Sequence, residues 1–220
     1  IGICGTAKEN VDQEAVASRG IILTSVSDYG DEPAAEFIFM QLESLARGMG
    51  QYQWKEYPTE LMGKTIGIIG LGALGQAIAR LAIAYKMNVL YYSRTRKPDW
   101  EEQGLQYKEK TNLLQSSDVV IISSPSNLQV LGSNDFSLIK PNSVLVQASM
   151  GNCLDRAAFI KWIAENNNFA MFDYSAGNES YAAYKDLPNV VFPKIVAGHT
   201  KETRQRLGDK IIENLKQYLV

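Results

Sequence analysis

Three glycines, Gly70, Gly72 and Gly75, follow an apolar run and open a helical pattern, in the spacing G-x-G-x-x-G. In this spacing the first glycine permits a tight turn, the second lets the backbone approach a diphosphate, and the third lets the helix pack on the strand. The phosphates would bind at the helix N-terminus, against backbone N–H groups and the positive end of the helix dipole. The sequence therefore predicts a dinucleotide cradle made of Gly70, Gly72, Ala73, Leu74 and Gly75. A strand–helix turn that binds no ligand is the alternative.

The residues that follow the second strand of this unit, Ser93, Arg94 and Thr95, predict which coenzyme binds. Sites for NAD usually carry Asp or Glu at this place, and its carboxylate accepts a hydrogen bond from the ribose 2′-hydroxyl. A carboxylate would repel a 2′-phosphate, whereas two hydroxyls and an Arg guanidinium would hold it through charge-assisted hydrogen bonds. We therefore expect NADP(H) to be preferred over NAD(H). A solvated basic loop is the alternative.

The composition excludes several classes of partner. The 220 residues include 22 basic and 24 acidic side chains, which leaves a net charge of −2 and no electrostatic footprint for nucleic acid or an anionic membrane. No apolar run approaches the roughly 18 residues that a membrane span needs. The two cysteines lie far apart, so no metal site is expected. We expect a cytoplasmic protein and, because the chain starts at Ile1 in strand-like sequence, the remainder of a longer product.

Apolar runs alternate with helical patterns along the chain, which is typical of a parallel sheet covered on both faces. The predicted fold class is therefore α/β, with a Rossmann-type doubly wound parallel sheet. The strands are expected at 1–5, 21–23, 65–69, 89–92, 119–122, 144–147, 169–172 and 190–192. The helices are expected at 12–17, from Pro33 through 35–49, directly after Gly72, around 113–114, and at 136–139, 155–164 and 201–219.

The chain resembles the D-isomer-specific 2-hydroxyacid dehydrogenase family, in its glyoxylate/hydroxypyruvate reductase-like NADP type, over essentially all of its length. The segments that carry the resemblance are 10–12, 19–21, 35–36, 63–72, 118–120, 140–141, 187–190 and 197–198. The resemblance implies part of a flavodoxin-like substrate domain in 1–30 and an NAD(P)-binding Rossmann domain in 31–199. It also implies a C-terminal helix in 200–220 that packs back on the substrate domain, and a homodimer formed through the 33–49 helix.

The same resemblance implies a reaction. Hydride would pass between the nicotinamide and a small 2-hydroxy or 2-keto acid, or a related carbonyl compound such as an aldehyde. It further implies coenzyme contacts outside the glycine turn, from the loop after the fourth Rossmann strand and from residues at the nicotinamide end. These residues are Ser124, Pro125, Ser149, Asp173 and Gly198.

Three positions depart from the family pattern. Members use an Arg that clamps the substrate carboxylate, a His that exchanges the proton, and a Glu that holds this His. The Arg position carries Met150. The His position carries Ile195 in an ungapped alignment, whereas a shift of one residue gives the role to Lys194. The Glu position carries Asn178, and Glu179 follows one place later.

The catalytic candidates are therefore Lys194, Glu179 and His199. Lys194 would serve as an acid if burial brought its pKa from about 10.4 toward neutrality. His199 is the only histidine and would point at the nicotinamide end, with a structural role as its alternative. Two functions stay open at this point: an NADP(H)-dependent oxidoreductase with a rebuilt site, and an inactive NADP-binding homologue that acts as a sensor or as the partner of an active paralogue.

Overall fold

The computed structural model describes residues 1–6, 8, 10–124, 128–165 and 167–218. In these residues seven strands form one parallel sheet in the order β3-β2-β1-β4-β5-β6-β7. The strands are β1 Thr65–Ile69, β2 Asn88–Tyr92, β3 Gln106–Tyr107, β4 Val119–Ile122, β5 Val144–Gln147, β6 Phe169–Phe172 and β7 Val190–Val191. The Rossmann-type α/β fold predicted from the sequence is confirmed.

Helices cover both faces of this sheet. They are α1 Gln13–Ser18, α2 Asp31–Arg47, α3 Ala73–Ala84, α4 Pro98–Glu101, α5 Lys110–Ser116, α6 Ser133–Phe136, α7 Arg156–Ile163, α8 Asn178–Tyr184 and α9 Lys201–Lys216, with a short 3₁₀ turn at Tyr174–Ala176. The predicted N-caps Asp12 and Asp155 are confirmed, because each carboxylate accepts from a backbone N–H of the first helical turn. Gly48, in the left-handed conformation, ends α2.

The central strands are apolar along their whole length because helices bury both of their faces. Val144 and Val146 of β5 pack on the side of α2 and α3, whereas Leu145 between them packs on the side of α5 and α7. The same alternation holds in β6, where Phe169 and Met171 lie on the first side and Ala170 and Phe172 on the second. The direction of a side chain at the end of a strand therefore follows from its position in the strand.

The order of the strands reverses at β1. The chain runs from β1 outward to β2 and β3, and then returns to the other side of β1 with β4. In open parallel sheets a ligand crevice forms outside the carboxyl ends of the strands at such a switch point. The glycine turn lies at this point, since it connects β1 to α3.

The prediction of regular strands at 1–5 and 21–23 is wrong. The two segments meet in a single parallel bridge, between Gly2 and Thr24, with backbone hydrogen bonds from Ile3 to Thr24 and from Thr24 to Ile1. Their apolar residues remain largely at the surface, with Ile1 57% and Ile22 51% exposed. No further strand of the described residues pairs with either segment, so the ladder does not extend beyond one bridge.

Helix α9 packs on the segment that follows this bridge. Three of its side chains donate to backbone carbonyls there: Arg206 to Tyr29 at 3.0 Å, Lys210 to Ser27 at 2.9 Å, and Asn214 to Ser25 at 3.1 Å. These bonds join residues that are far apart in sequence. They fasten the last described helix to the first 30 residues.

Other element bounds differ from the expectation. The helix expected at 136–139 lies earlier, at Ser133–Phe136, because the Asp135 carboxylate accepts from the Gly132 N–H and fixes the helix start there. Helix α9 ends at Lys216, and Leu219 lies outside the described residues. Helices α4 and α8 and strand β3 were not predicted from the sequence, since each is short and carries little apolar periodicity.

Candidate functional site: a coenzyme cleft at the carboxyl edge of the sheet

The glycine turn has the geometry of a phosphate cradle. Gly70 has φ +100°, and a Cβ at this position would lie 2.6 Å from the Ser123 carbonyl oxygen. A Cβ at Gly75 would lie 2.1 Å from the Gly70 carbonyl oxygen, so both positions require glycine. A Cβ at Gly72 would have no atom within 4 Å. Two of the glycines therefore pack the turn closely, and the third leaves space in front of it.

This open space lies at the N-terminus of α3. Gly72 is the N-cap residue and supplies no side-chain hydrogen bond to the first turn, while Gly72 and Ala73 are exposed and Leu74 is half-buried. The uncapped N–H groups and the helix dipole favour an anion at this end of the helix. The cradle therefore fits the diphosphate of a dinucleotide. The charge of the diphosphate would lie in the space that any side chain larger than glycine at position 72 would occupy.

The predicted 2′-phosphate loop lies beside this cradle. The Gly70 N–H donates to the Tyr92 carbonyl at 2.8 Å, which joins the glycine turn to the end of β2. In the loop itself, the Ser93 hydroxyl donates to the Thr95 carbonyl at 2.6 Å, and the Arg94 side chain is exposed. The structure thus brings Ser93, Arg94 and Thr95 to the same edge as the glycines.

The end of β4 forms the next part of the cleft. The Ser123 hydroxyl donates to the Gly70 carbonyl at 2.7 Å and holds the glycine turn against β4. The Ser149 hydroxyl, after β5, donates to the Ser124 carbonyl at 2.9 Å, so these two predicted coenzyme residues are in contact. Pro125 lies outside the described residues.

Asp173, at the carboxyl end of β6, lies at the end of the cleft where the family resemblance places the nicotinamide. Its carboxylate accepts from the Ala197 N–H at 2.8 Å and from the Ser175 hydroxyl. Gly198 follows and packs closely on Gly30, since a Cβ on Gly198 would lie 3.0 Å from the Gly30 carbonyl. Ser175 was not identified from the sequence, although a Ser two residues after an Asp is a common local hydrogen-bonding pattern.

A small cavity of about 20 Å³, room for about one water molecule, lies between this edge of the sheet and α2. Asp173 supplies the charged group of its lining, and the other walls are mostly apolar. The remaining lining residues are Ala34, Phe37, Ile38, Gln41, Val146, Gln147, Ala148, Met171, Phe172 and Ala197. This volume is far below the roughly 300–1,000 Å³ of a small-molecule site, so the cavity by itself does not define one.

The burial of Asp173 has a consequence that depends on pH. Burial raises the pKa of its carboxyl above the ordinary 3.8, against hydrogen bonds from Ser175 and Ala197 that lower it. The native state therefore binds the proton of the Asp173 carboxyl more tightly than the unfolded chain does. This tighter binding stabilises the fold fully below pH 3.8, and the contribution is lost as pH rises through the raised pKa.

We expect Asp173→Asn, which cannot ionise, to gain stability relative to the parent as pH rises from below 3.8 to neutrality. Each unit by which the pKa is raised corresponds to about 1.4 kcal/mol of this gain. Urea unfolding of both chains at a series of pH values measures it. Asp186→Asn, at a carboxyl that is 82% exposed, is the control. A gain for Asp173→Asn that shrank as pH rose would contradict a raised pKa at this carboxyl.

The catalytic candidates lie at the rim of the same edge. The Lys194 side chain is exposed, and its Nζ lies 5.5 Å from the centroid of the Tyr174 ring. Tyr174 directly follows Asp173 in the chain. The burial on which its role as an acid depended is therefore not seen. Glu179 is exposed in the first turn of α8, whose Asn178 accepts from the Tyr174 hydroxyl at 2.6 Å.

His199 is also exposed, beyond Gly198, and its backbone N–H donates to the Val196 carbonyl at 3.0 Å. It precedes Thr200, the N-cap of α9, whose hydroxyl accepts from the Thr203 N–H. His199 thus lies in the connection to the last described helix, whereas Lys194 lies over the Tyr174 ring and Glu179 follows Asn178, which contacts Tyr174.

Met150 and Ile195 flank the loop that follows Asp173. The Gly151 N–H donates to the Ser175 carbonyl at 3.0 Å, and the Tyr174 N–H donates to the Ile195 carbonyl at 2.8 Å. Met150 is 55% exposed and Ile195 53% exposed, so neither is held in the core. Two apolar side chains therefore border the site at the positions where the family resemblance places Arg and His.

Other kinds of site were not found in the part of the chain that the structure describes. It contains no cluster of three or more His, Cys, Asp or Glu residues placed to hold a metal ion. None of its described helices combines the length and the apolar character that a membrane span requires.

Comparison with known proteins gives the family. The sequence model of the D-isomer specific 2-hydroxyacid dehydrogenase NAD binding domain matches residues 38–197. A glyoxylate reductase from Thermococcus litoralis is 31% identical over 94% of this chain and 70% of its own length. The chain belongs to the D-isomer specific 2-hydroxyacid dehydrogenase family.

Solved structures agree in fold. A D-lactate dehydrogenase from Aquifex aeolicus, complexed with NAD and lactic acid, matches with a TM-score of 0.84 at 22% identity, over 100% of this chain and 75% of that one. An acyclic imino acid reductase in complex with NADPH and D-Arg matches with a TM-score of 0.78 at 26% identity, over 99% and 75%.

Family membership and these relatives define the chain as an NAD(P)-binding oxidoreductase of the D-2-hydroxyacid dehydrogenase type, which acts on CH–OH groups. No finding favours the alternative of an inactive homologue over this function. The departures at Met150 and Ile195 therefore concern how the reaction proceeds and on which substrate.

Proposed function

We propose that this chain uses NADPH to reduce a small 2-keto acid or a related carbonyl compound, with glyoxylate as the first substrate to test. The observation that carries the proposal is the cradle: Gly72 leaves open space at an uncapped helix N-terminus, and Arg94 extends from the loop beside it. The Thermococcus litoralis relative bears the name glyoxylate reductase, which supports this substrate class.

The preference for NADP(H) is argued from charge. The loop after β2 offers the hydroxyls of Ser93 and Thr95 and the guanidinium of Arg94, and it contains no carboxylate between Ser93 and Lys97. A guanidinium binds a phosphate through short, charge-assisted and often bidentate hydrogen bonds. The 2′-phosphate of NADPH would therefore gain contacts here that NADH cannot make.

Replacing Arg94 by serine tests this preference. We expect the Kd for NADPH to rise by about tenfold to a hundredfold, the cost of losing charge-assisted hydrogen bonds of about 1.5–3 kcal/mol, while the Kd for NADH changes less than about twofold. Fluorescence titration of the full chain with each coenzyme measures both values.

The matched control is Arg19→Ser, which removes the same charge from an exposed arginine at the end of α1. This variant should bind both coenzymes as the parent does. A parent chain that binds NADH more tightly than NADPH would contradict the proposed preference. An equal loss for both coenzymes in Arg94→Ser would assign Arg94 to the diphosphate instead.

The chemistry needs a proton at the substrate oxygen when the bound nicotinamide supplies its hydride. We propose Lys194 as the donor to test first, because its ammonium group lies over the Tyr174 ring, although its side chain is exposed and lacks the burial that would favour an acid. Glu179 and His199 are the other candidates. The rate of coenzyme oxidation by Lys194→Gln tests this assignment. The control is Lys201→Gln, at the start of α9. Turnover that stays unchanged in Lys194→Gln would remove Lys194 from this role.

The assay that tests the function itself is oxidation of NADPH by the full chain with glyoxylate, other 2-keto acids and simple aldehydes. Turnover above a control without protein is the expected result. Tight binding of NADPH without turnover across the whole panel would contradict the proposed reaction and leave a coenzyme-binding protein.

We also propose the domain division and the assembly. Residues 1–30 would form part of the substrate domain, 31–199 the coenzyme domain, and 200–220 a helix that returns to the first part; the bonds from α9 to Ser25, Ser27 and Tyr29 support this division. The homodimer would form through the predicted 33–49 helix, which the structure gives as α2; Met40 in this helix and Met49 just after it are 56% and 77% exposed. Sedimentation of the chain measures the assembly, and the cytoplasmic location stays a prediction.

A further inference from the structure

A buried tyrosine holds the far end of the loop that carries Arg94. Tyr91, in β2, is 0% exposed, yet its hydroxyl reaches the surface loop. It accepts from the Lys97 N–H at 2.8 Å and donates to the Glu101 carboxylate at 2.7 Å. One hydroxyl therefore joins the core of the sheet to the end of the 93–97 loop and to α4.

Glu101 in turn holds the second arginine of the loop. The Arg96 Nε donates to the Glu101 Oε1 at 3.0 Å, and the Arg96 Nη2 pairs with the Glu101 Oε2. The Arg96 guanidinium also lies over the Tyr107 ring, 5.2 Å from its centroid. Both arginine side chains are exposed, but the Arg96 charge is already paired, whereas the Arg94 guanidinium makes no hydrogen bond or ion pair with the described residues.

The protonation states that this network requires are stable. Burial raises the pKa of the Tyr91 hydroxyl above its usual 10.0, so the hydroxyl keeps the proton that it donates. Hydrogen bonds from Arg96, and then from Tyr91, lower the pKa of the Glu101 carboxyl, so it remains a carboxylate. The network therefore persists across the neutral range of pH.

We propose that Tyr91 is a positioning residue for coenzyme selection: through Lys97 and Glu101 it fixes the 93–97 loop in the shape that extends Arg94 toward a 2′-phosphate and keeps Arg96 away from it. This inference rests on the proposed use of NADPH. It assigns the selectivity to a hydroxyl that lies beneath the loop and has no place in the family's glycine or catalytic motifs.

The loop is held at three points, and this is the physical basis of the inference. Its start is joined to the glycine turn by the Gly70–Tyr92 bond, its middle is closed by the bond from Ser93 to Thr95, and its end is held by Tyr91. A loop that is already ordered loses less conformational entropy when a ligand binds, so each contact contributes more to affinity. Without the Tyr91 hydroxyl, the Lys97 N–H and the Glu101 carboxylate both lose a partner.

Tyr91→Phe removes this hydroxyl and keeps the ring in the core. We expect the Kd for NADPH to rise about tenfold, or about 1.4 kcal/mol, because the loop must then be ordered as the 2′-phosphate binds, while the Kd for NADH rises less than about twofold. The probes are NADPH and NADH, together with 2′,5′-ADP and 5′-ADP, which lack the nicotinamide. Thermal unfolding of each variant accompanies the titrations.

The control is Tyr107→Phe, which removes the neighbouring hydroxyl, whose bond runs to Glu109 at 3.1 Å, and leaves the ring under Arg96. This variant should keep the NADPH to NADH ratio of the parent. Glu101→Gln, at the rim of the loop, is the second test if Tyr91→Phe fails to fold. Glu101→Gln should also lower the preference for NADPH over NADH, because the amide binds Arg96 and the Tyr91 hydroxyl more weakly than the carboxylate does.

The possible outcomes separate this inference from the function on which it rests. A parent without NADPH preference overturns both. A parent that prefers NADPH, with a Tyr91→Phe variant that keeps the full preference or loses affinity for both coenzymes equally, overturns the inference alone. A higher NADPH preference in Glu101→Gln also overturns it, because Arg96, once released, would then bind the 2′-phosphate itself.

Discussion

Replacing Met150 by arginine and Ile195 by histidine in one chain is expected to raise kcat/KM for glyoxylate by about a hundredfold or more, since a general acid alone contributes about 10²–10⁴. The two positions border the loop after Asp173, one on each side: Ile195 and the residue after Met150, Gly151, are joined to this loop by backbone hydrogen bonds. Their side chains are 55% and 53% exposed, so the larger replacements need no space in the core.

Each replacement supplies one requirement of the reaction. The guanidinium forms a planar fork that binds a carboxylate through two parallel hydrogen bonds, which a thioether cannot do. The imidazolium donates a proton near neutral pH, which an alkyl group cannot do. The gain in the reducing direction should decline as pH rises through the imidazole pKa of about 6.5, because the protonated form is the donor.

Steady-state oxidation of NADPH at several pH values measures this gain. The matched control is Met62→Arg with Ile212→His, at residues that are 54% and 53% exposed elsewhere, and it should leave kcat/KM unchanged. A companion variant, Met150→Arg with Lys194→His, compares the two alignments of the family His. If both engineered pairs bind NADPH and neither gains activity, the substrate does not lie between these positions.

The second large effect is expected at Gly72, where valine should weaken NADPH binding by about a hundredfold, or roughly 2.7 kcal/mol, without unfolding the chain. A Cβ at this position meets no protein atom within 4 Å, so the fold has space for it. The same space lies at the uncapped N-terminus of α3, where the diphosphate would bind. The side chain would therefore compete with the coenzyme alone.

Gly75 gives the contrasting case. A Cβ there would lie 2.1 Å from the Gly70 carbonyl oxygen, so Gly75→Ala should lower the free energy of unfolding by about 3 kcal/mol or more. Gly50→Val, also at a position without atoms within 4 Å, is the control for adding the same side chain outside the cradle. Coenzyme titration and urea unfolding separate the two effects. A Gly72→Val chain that is folded and binds NADPH as the parent does would show that the diphosphate does not bind at this turn.

Local sequence determined the glycine turn and most of the fold. The spacing of Gly70, Gly72 and Gly75 between two apolar runs predicted the β1–α3–β2 unit, because turn geometry and strand burial depend on residues close together in the chain. The fully apolar strands predicted a sheet covered on both faces for the same reason. Asp12 and Asp155 likewise marked helix starts, since a cap bonds to a residue three places away.

Tertiary structure decided which side chains meet. The sequence places Arg94 and Arg96 in one basic loop and does not show that Arg96 is paired, whereas in the structure Glu101, held by Tyr91, pairs with Arg96. One of the two partners of Asp173 also came from the fold, because the Ala197 N–H lies 24 residues away in the chain.

The same limit explains the error at the first residues. Ile1–Gly5 reads as a strand from its own composition, but a strand is defined by the partner that its backbone bonds, and in this chain the pairing is one bridge to Thr24. Local patterns therefore determined the elements and the coenzyme cradle of this protein. The direction of each charged group at the cleft depended on contacts between distant segments, which hydrophobic periodicity and motif spacing do not encode.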